Sequence, residues 1–236
     1  MDMDTVQVTA GITMLRFPVG QAYLLRLPGG GFTLVDCGPA GAQDAVLGAL
    51  AAAGGAPGDL HEIVLTHAHK DHTGAAAALA AATGARIAAG AADADAVRGT
   101  GSVAPPDLQD WERDLYDSTS RAVPPAPPAP VHRELADGDP LDWGQAARVL
   151  HVPGHTAGSI AVLLPEQGAL FTGDTLAIWQ DRPIPGVFSS DRRRLAASYA
   201  RLAALDTDTV LFGHGEPLTH DAGAVLRAAA PPESHD

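Results

Sequence analysis

Cysteine is all but missing from this chain. Cys37 is the single one among 236 residues, so no disulfide can form within the chain. That excludes a disulfide-stapled secreted scaffold and fits a reducing compartment. Lysine is equally scarce: Lys70 stands alone among fifteen basic residues, against twenty-eight acidic ones, for a net charge of −13. A chain so short of positive charge is ill suited to a phosphate backbone, which argues against nucleic acid as a partner. We read the lack of lysine beside abundant alanine as a bias of the encoding genome, not as function. No run approaches the roughly 20 consecutive apolar residues of a membrane-spanning helix. The opening Met1-Asp2-Met3-Asp4 is acidic where an export signal is basic, and no apolar stretch follows it. The expectation is a cytoplasmic protein with no membrane partner. Charged residues are few at 18%, but hydrophobic residues reach 46%, ample for a core and against disorder. The length suits one α/β domain, residues 1–236, better than two small ones.

What is present alternates between strand and helix patterns. Val6 to Phe17 and Gln21 to Leu27 are β-rich runs separated by Pro18-Val19-Gly20, and Phe32 to Val35 follows a Pro-Gly-Gly-Gly turn. Ala40 to Ala53 reads as a helix, Glu62 to Leu65 as a buried strand, and Gly74 to Ala82 as a helix ended by Gly84. Pro105 to Ser120 reads as a helix with proline at its start. The proline run from Pro124 to Pro130 must be extended, and we take it as a stiff strap within the domain. Strands are expected at Arg148–Val152, Ile160–Leu164, Ala169–Thr172 and Thr209–Phe212, and helices at Asp191–Leu205 and Leu218–Ala230. This order predicts a layered α/β fold.

The decisive segment is Thr66-His67-Ala68-His69-Lys70-Asp71-His72-Thr73-Gly74. Three histidines and an aspartate fall at the end of an apolar strand, just before a helix. Neutral imidazole is a favoured ligand for zinc, with carboxylate as a harder co-ligand. In an extended chain His67 and His69 share a side, and the turn into the helix would carry Asp71 and His72 round. A lone loop histidine is usually just a surface residue, and Asp71 alone could be a helix cap; four such residues together point to a site. Three later segments repeat one format, an apolar run followed by a glycine-flanked polar residue: His155 after Val152-Pro153-Gly154, Asp174 after Leu170 to Gly173, and His214 after Val210 to Gly213. Together the segments supply seven ligands, the number two metals sharing a bridging carboxylate would use.

The order His67-x-His69-x-Asp71-His72, then His155, Asp174 and His214, resembles the metallo-β-lactamase superfamily, in particular its glyoxalase-II-like hydrolase branch. Asp36-Cys37-Gly38 is similar to that superfamily's first motif, where the aspartate supports the site. The resemblance spans about Thr33 to Pro217. It implies an αββα sandwich of two mixed β-sheets with outer helices and metals at one edge. It also implies that His67, His69 and His155 hold one metal, that Asp71, His72 and His214 hold the second, and that Asp174 bridges them. The ions are expected to be Zn²⁺, with Fe or Mn as the other candidates. The implied chemistry is hydrolysis of a small-molecule ester, thioester or lactone by a metal-activated hydroxide, with Asp71 orienting the water or passing a proton. The alternative is a mononuclear iron, persulfide-dioxygenase-like oxidoreductase using His67, His69, His155 and Asp174.

Departures narrow this reading. The secreted β-lactamases of the superfamily lack a bridging aspartate, whereas Asp174 is present. Glyoxalase II binds glutathione through a C-terminal helical region, and only 22 residues follow His214. Homoserine-lactone lactonases carry tyrosine three residues beyond the bridging aspartate, where Ala177 stands, and flavodiiron proteins carry glutamate in place of His69. The remaining histidines, His61, His132, His151, His220 and His235, read as surface or structural, Cys37 as a small buried residue, and Lys70 as solvated. Trp111–Tyr116 and Trp179–Phe188 are candidates to build the substrate pocket, with Arg182 either holding an anionic group or pairing with Asp181.

Overall fold

The structure, a computed structural model, describes residues 2–230. Strands β1 (Asp4–Thr9), β2 (Ile12–Arg16), β3 (Gln21–Arg26) and β4 (Phe32–Val35) run antiparallel in sequence. Helix α1 (Gln43–Ala52) then returns the chain so that β5 (Leu60–Leu65) lies parallel to β4. Helices α2 (Lys70–Thr73) and α3 (Ala76–Thr83) lead to β6 (Arg86–Gly90), and α4 (Ala94–Arg98) and α5 (Arg113–Ala122) lead to β7 (Arg133–Leu135). These seven strands form one sheet in chain order. A second sheet of order β13-β10-β9-β8 is built from β8 (Arg148–His151), β9 (Ile160–Leu164), β10 (Ala169–Gly173) and, in parallel with β10, β13 (Thr209–Phe212). The hairpin β11 (Leu176–Trp179)–β12 (Arg182–Pro185) stands apart from both sheets, while α6 (Arg192–Ala203) and α7 (Ala222–Ala229) flank the second.

Period-2 alternation sorts the side chains into layers. From β5, Ile63 and Leu65 pack outward with Val46 and Leu50 of α1 and Leu79 of α3, while Val64 points inward. From β10, Leu170 packs outward with Tyr199, Leu202 and Leu226 of α6 and α7, while Phe171 points inward. Strand register lines up Met14, Tyr23, Val35, Val64 and Ala88 in one row across the first sheet. Val149, Val162, Phe171 and Leu211 form the facing row of the second. The rows close a common core, with Tyr23 edge-on to Phe171 at 5.4 Å. Helix, sheet, sheet, helix is the resulting order: an αββα sandwich.

Some elements differ from the sequence expectation. Val6–Phe17 is a hairpin rather than one strand, because the chain turns at Ala10-Gly11. The helix expected from Pro105 starts only at Asp110, since the Asp107 backbone is already bonded to Ser189 and the Glu112 carboxylate caps the Gln109 N–H. Leu218 pairs with Val210 through two backbone hydrogen bonds, so the last helix begins at Ala222. No helix of the described residues is long and apolar enough to cross a membrane.

Phe171 is 1% exposed at the centre of the inter-sheet core. Phe171→Ala is therefore expected to lower unfolding free energy by about 3–5 kcal/mol. Urea denaturation would show this as a lower midpoint; a loss below about 1 kcal/mol would mean that this core does not hold the sheets together.

Candidate metal centre

The parallel course of β4, β5 and β6, and of β10 and β13, brings strand C-termini to one edge of the sandwich. Each residue singled out in the sequence lies shortly beyond such an end: His67, His69, Asp71 and His72 after β5, His155 after β8, Asp174 after β10 and His214 after β13. The extended backbone at His69 and the short turn of α2, with His72 and Thr73 N–H both donating to the His69 carbonyl, wrap four of them round one point.

Neighbours fix the rings. Asp36 follows β4 in the left-handed region (φ 57°), and its carboxylate accepts from the Thr66 N–H (2.7 Å) and hydroxyl (2.8 Å). The same carboxylate lies 3.0 Å from Nδ1 of His72, so that ring donates there and turns Nε2 to the site. Because the Thr66 hydroxyl has given its proton to Asp36, it accepts from Nδ1 of His67 at 3.0 Å, leaving the His67 Nε2 lone pair facing inward. Buried Asp93 accepts from the Ala68 N–H (2.9 Å), the Thr156 hydroxyl (2.7 Å) and the Gly158 N–H (2.8 Å), clamping the His67–His69 segment to the His155 loop. Tyr23 donates to the Phe212 carbonyl (2.6 Å), and Gln21 accepts from the Gly215 N–H (2.9 Å), which holds the loop of His214. A Cβ on Gly213 would sit 1.9 Å from Asp174 Oδ1, so only glycine allows that approach.

The donors converge in two groups, His67-His69-His155 and Asp71-His72-Asp174-His214, each with its ligand atoms within 4.8 Å of one another. His155 Nε2 and His69 Nδ1 are 2.8 Å apart. Asp174 faces both groups: Oδ2 lies 3.2 Å from His214, 3.6 Å from His155 and 3.8 Å from His67, and Oδ1 lies 3.4 Å from His72. Asp71 Oδ2 is 3.2 Å from His214 and 3.3 Å from His72. A tetrahedron with metal–ligand bonds of roughly 2.0–2.1 Å has edges of roughly 3.3–3.4 Å, close to most of these spacings. Buried His67 Nε2 and Asp174 Oδ1 have no hydrogen-bond partner. Orphaned lone pairs in such a cage are what a cation would satisfy, and the donor set fits a pair of them.

The electrostatics divide the same way. Burial, reinforced by neighbouring imidazoles, holds His67 and His69 below the ordinary histidine value and His155 at about 3, so this trio is neutral. Burial would raise the Asp71 and Asp174 carboxyls, but the surrounding imidazoles keep both well below the usual range. Burial would lower His72 and His214, yet Asp174 and Asp71 hold His72 well above its ordinary value and His214 at about 10.

Other residues are placed elsewhere. His132 accepts the Ile87 N–H, the His151 ring lies against the Ala157 carbonyl, and His61 and His220 are exposed; His235 lies outside the described residues. Lys70 is not solvated as expected. Its ammonium donates to the Ser120 and Val123 carbonyls at 2.5 and 2.7 Å, satisfying the orphan carbonyls at the end of α5. Arg182 is exposed and does not line the cleft beside the donors, whereas Trp179 does. Sequence reading missed Asp93, which no local pattern marks, and Thr66, whose place directly before His67 was the available signal.

Asp36→Asn keeps shape but replaces an acceptor oxygen with a donor facing Thr66 or His72. Metal affinity, measured by chelator competition, is expected to fall about 10- to 100-fold with the fold retained by circular dichroism. Wild-type affinity would show that Asp36 does not orient the donors.

The family described as the metallo-beta-lactamase superfamily matches residues 15–214. A hydroxyacylglutathione hydrolase of Rhodobacter capsulatus is 34% identical over 157 residues, covering 66% of this chain and 48% of that protein. One from Methylococcus capsulatus is 32% identical over 207 residues, covering 85% and 65%. The chain thus spans about half the length of the first of these relatives. Among solved structures, TTHA1623 in a di-iron-bound form is 30% identical with a TM-score of 0.68, covering 92% of this chain and 96% of that one. A metallo-beta-lactamase family protein of Thermus thermophilus is 26% identical with the same TM-score, covering 93% and 78%. With the match running from β2 to the last of the converging histidines, the chain belongs to the metallo-beta-lactamase superfamily.

Proposed function

We propose that this protein is a hydrolase with a dinuclear metal centre that cleaves a small-molecule ester, thioester or lactone. The observation that carries this reading is Asp174, whose two oxygens face both donor groups at 3.2–3.8 Å. In this reading His67, His69 and His155 hold one ion, Asp71, His72 and His214 the other, and Asp174 bridges. When bound, two divalent cations supply a water of pKa near about 7 and a Lewis acid for the acyl oxygen.

The chain's own groups do the rest. Asp71 lines the cleft with its carboxylate oriented by His72 and His214, so it can orient the attacking water and take up its proton. The water oxygen forms a new bond to the acyl carbon and the C–O or C–S bond to the leaving group breaks. Asp71 returns one proton to that leaving group, and the carboxylic acid formed loses the other to solvent. Zn²⁺ suits the nitrogen-rich set, and the di-iron form of a relative keeps iron in view. The second donor group, Asp71-His72-His214, favours two metals over the one-iron persulfide oxidation that would use only His67, His69, His155 and Asp174. Ligands drawn from both halves support one domain over residues 1–236, and the buried lone cysteine suits the cytoplasm.

Asp71→Ala and His72→Ala are each expected to lower kcat/KM by about 10²- to 10⁴-fold, with metal content of His72→Ala falling from two ions toward one per chain. Wild-type turnover in both variants would refute the dinuclear mechanism. One iron per chain with oxygen consumption would select the oxidoreductase instead.

A further inference from the structure

The donors open onto a cleft of about 710 Å³, within the range of small-molecule sites. One wall is α5. Residues Leu115, Tyr116, Thr119, Ser120 and Val123 follow helical spacing and all line the cleft. The opposite wall is the β11–β12 hairpin and the chain after it, which contribute Ile178, Trp179, Ile184, Val187 and Phe188. Trp179 and Trp111 meet at the outer lip, ring centroids 6.2 Å apart and both about half exposed. Apolar surface left in water beside a reactive centre marks a binding surface.

The wall is fastened rather than loose. At its start, buried Glu112 accepts from the Gln109 (2.7 Å) and Phe188 (3.2 Å) N–H groups and pairs with the Arg192 guanidinium. Arg192 also donates to the Asp107 carbonyl at 2.7 and 3.0 Å. At its end, Lys70 grips the Ser120 and Val123 carbonyls. Phe188 is held at φ 57°, a conformation bulky residues avoid, with its ring edge-on to Tyr116 at 5.1 Å. Its backbone bond to Glu112 holds that position in the cleft wall.

Charge decides what such a cleft accepts. Among the described lining residues the only Lys or Arg are Arg16 and Lys70. Arg16 is paired with Glu216 at 2.6 Å, and Lys70 is turned onto the end of α5. Neither belongs to the α5 wall or the hairpin wall, so a substrate carboxylate held between those walls would be buried unpaired, which is costly.

We propose that this cleft is an acyl pocket for an uncharged, apolar chain or ring, and that it discriminates against acyl groups carrying a carboxylate. This rests on the hydrolase reading for its chemistry, but the pocket can be tested without turnover. With p-nitrophenyl acetate, butanoate, hexanoate and octanoate, kcat/KM of the metal-loaded enzyme should rise about three- to fourfold per methylene. The hemisuccinate should fall at least about tenfold below the butanoate of similar length. Straight-chain methyl ketones, which cannot be hydrolysed, should quench tryptophan fluorescence with Kd falling along the same series. That signal should vanish in Trp179→Phe, and the slope should flatten in Leu115→Ala and Ile184→Ala. Ketone Kd values independent of chain length, or a preference for the hemisuccinate, would overturn the pocket. A graded ketone series with no turnover of any ester would support the pocket and defeat the hydrolase reading instead.

Discussion

Seven lone-pair-bearing atoms lie together in this protein at spacings that water or protons alone satisfy poorly. Carboxylate oxygens 3.2–3.8 Å from several rings, beside a buried His67 Nε2 that no donor reaches, are lone pairs that positive charge among them would satisfy. Burial keeps His67, His69 and His155 below the ordinary histidine value, and among them His67 Nε2 has no hydrogen-bond partner. Folding such a cage requires the rest of the chain to hold these groups in place. That demand explains why buried polar residues cluster behind it: Asp36 and Thr66 behind one pair of rings, and Asp93 and Thr156 behind another.

These supports also join segments that are distant in the chain. Asp93 ties the end of β5 to the loop after β8, and Gln21 and Tyr23 tie the first sheet to the loop after β13. The wall of the cleft is fixed to the same loops. Glu112 and Arg192 anchor its start beside Ser189, whose hydroxyl lies 3.5 Å from the His155 ring, and Lys70, next to Asp71, anchors its end. Substrate wall and donor cage therefore form one mechanical unit, and a shift in one is felt by the other.

Several elements were legible because their signals are local. Short unbroken apolar runs within Glu62–Leu65, Ile160–Leu164 and Thr209–Phe212, each too brief for a helix, mark buried strands, and the Asp191 cap, which accepts the Arg194 N–H, marks the start of α6. Others were not. β6 is Arg-Ile-Ala-Ala-Gly and β7 only three residues long, so each is a strand only because a neighbour completes its ladder. β11 and β12 are short, β12 carries two prolines, and their turn at Gln180-Asp181 places two non-glycine residues at positive φ, so the pattern names neither.

The chain's order of residues determined the donor identities and their places just after apolar runs, because ligand chemistry and strand periodicity are properties of a few consecutive residues. The superfamily resemblance rests on those same short patterns. Only the tertiary structure decided that the two groups meet across Asp174, that Asp93 and Thr66 stand behind them, and that Lys70 closes a helix end instead of meeting solvent. Each of those facts depends on two segments separated by tens of residues approaching within a few ångströms. Which strand ends share an edge is set by sheet pairing and layer packing, and no local window of sequence contains that information.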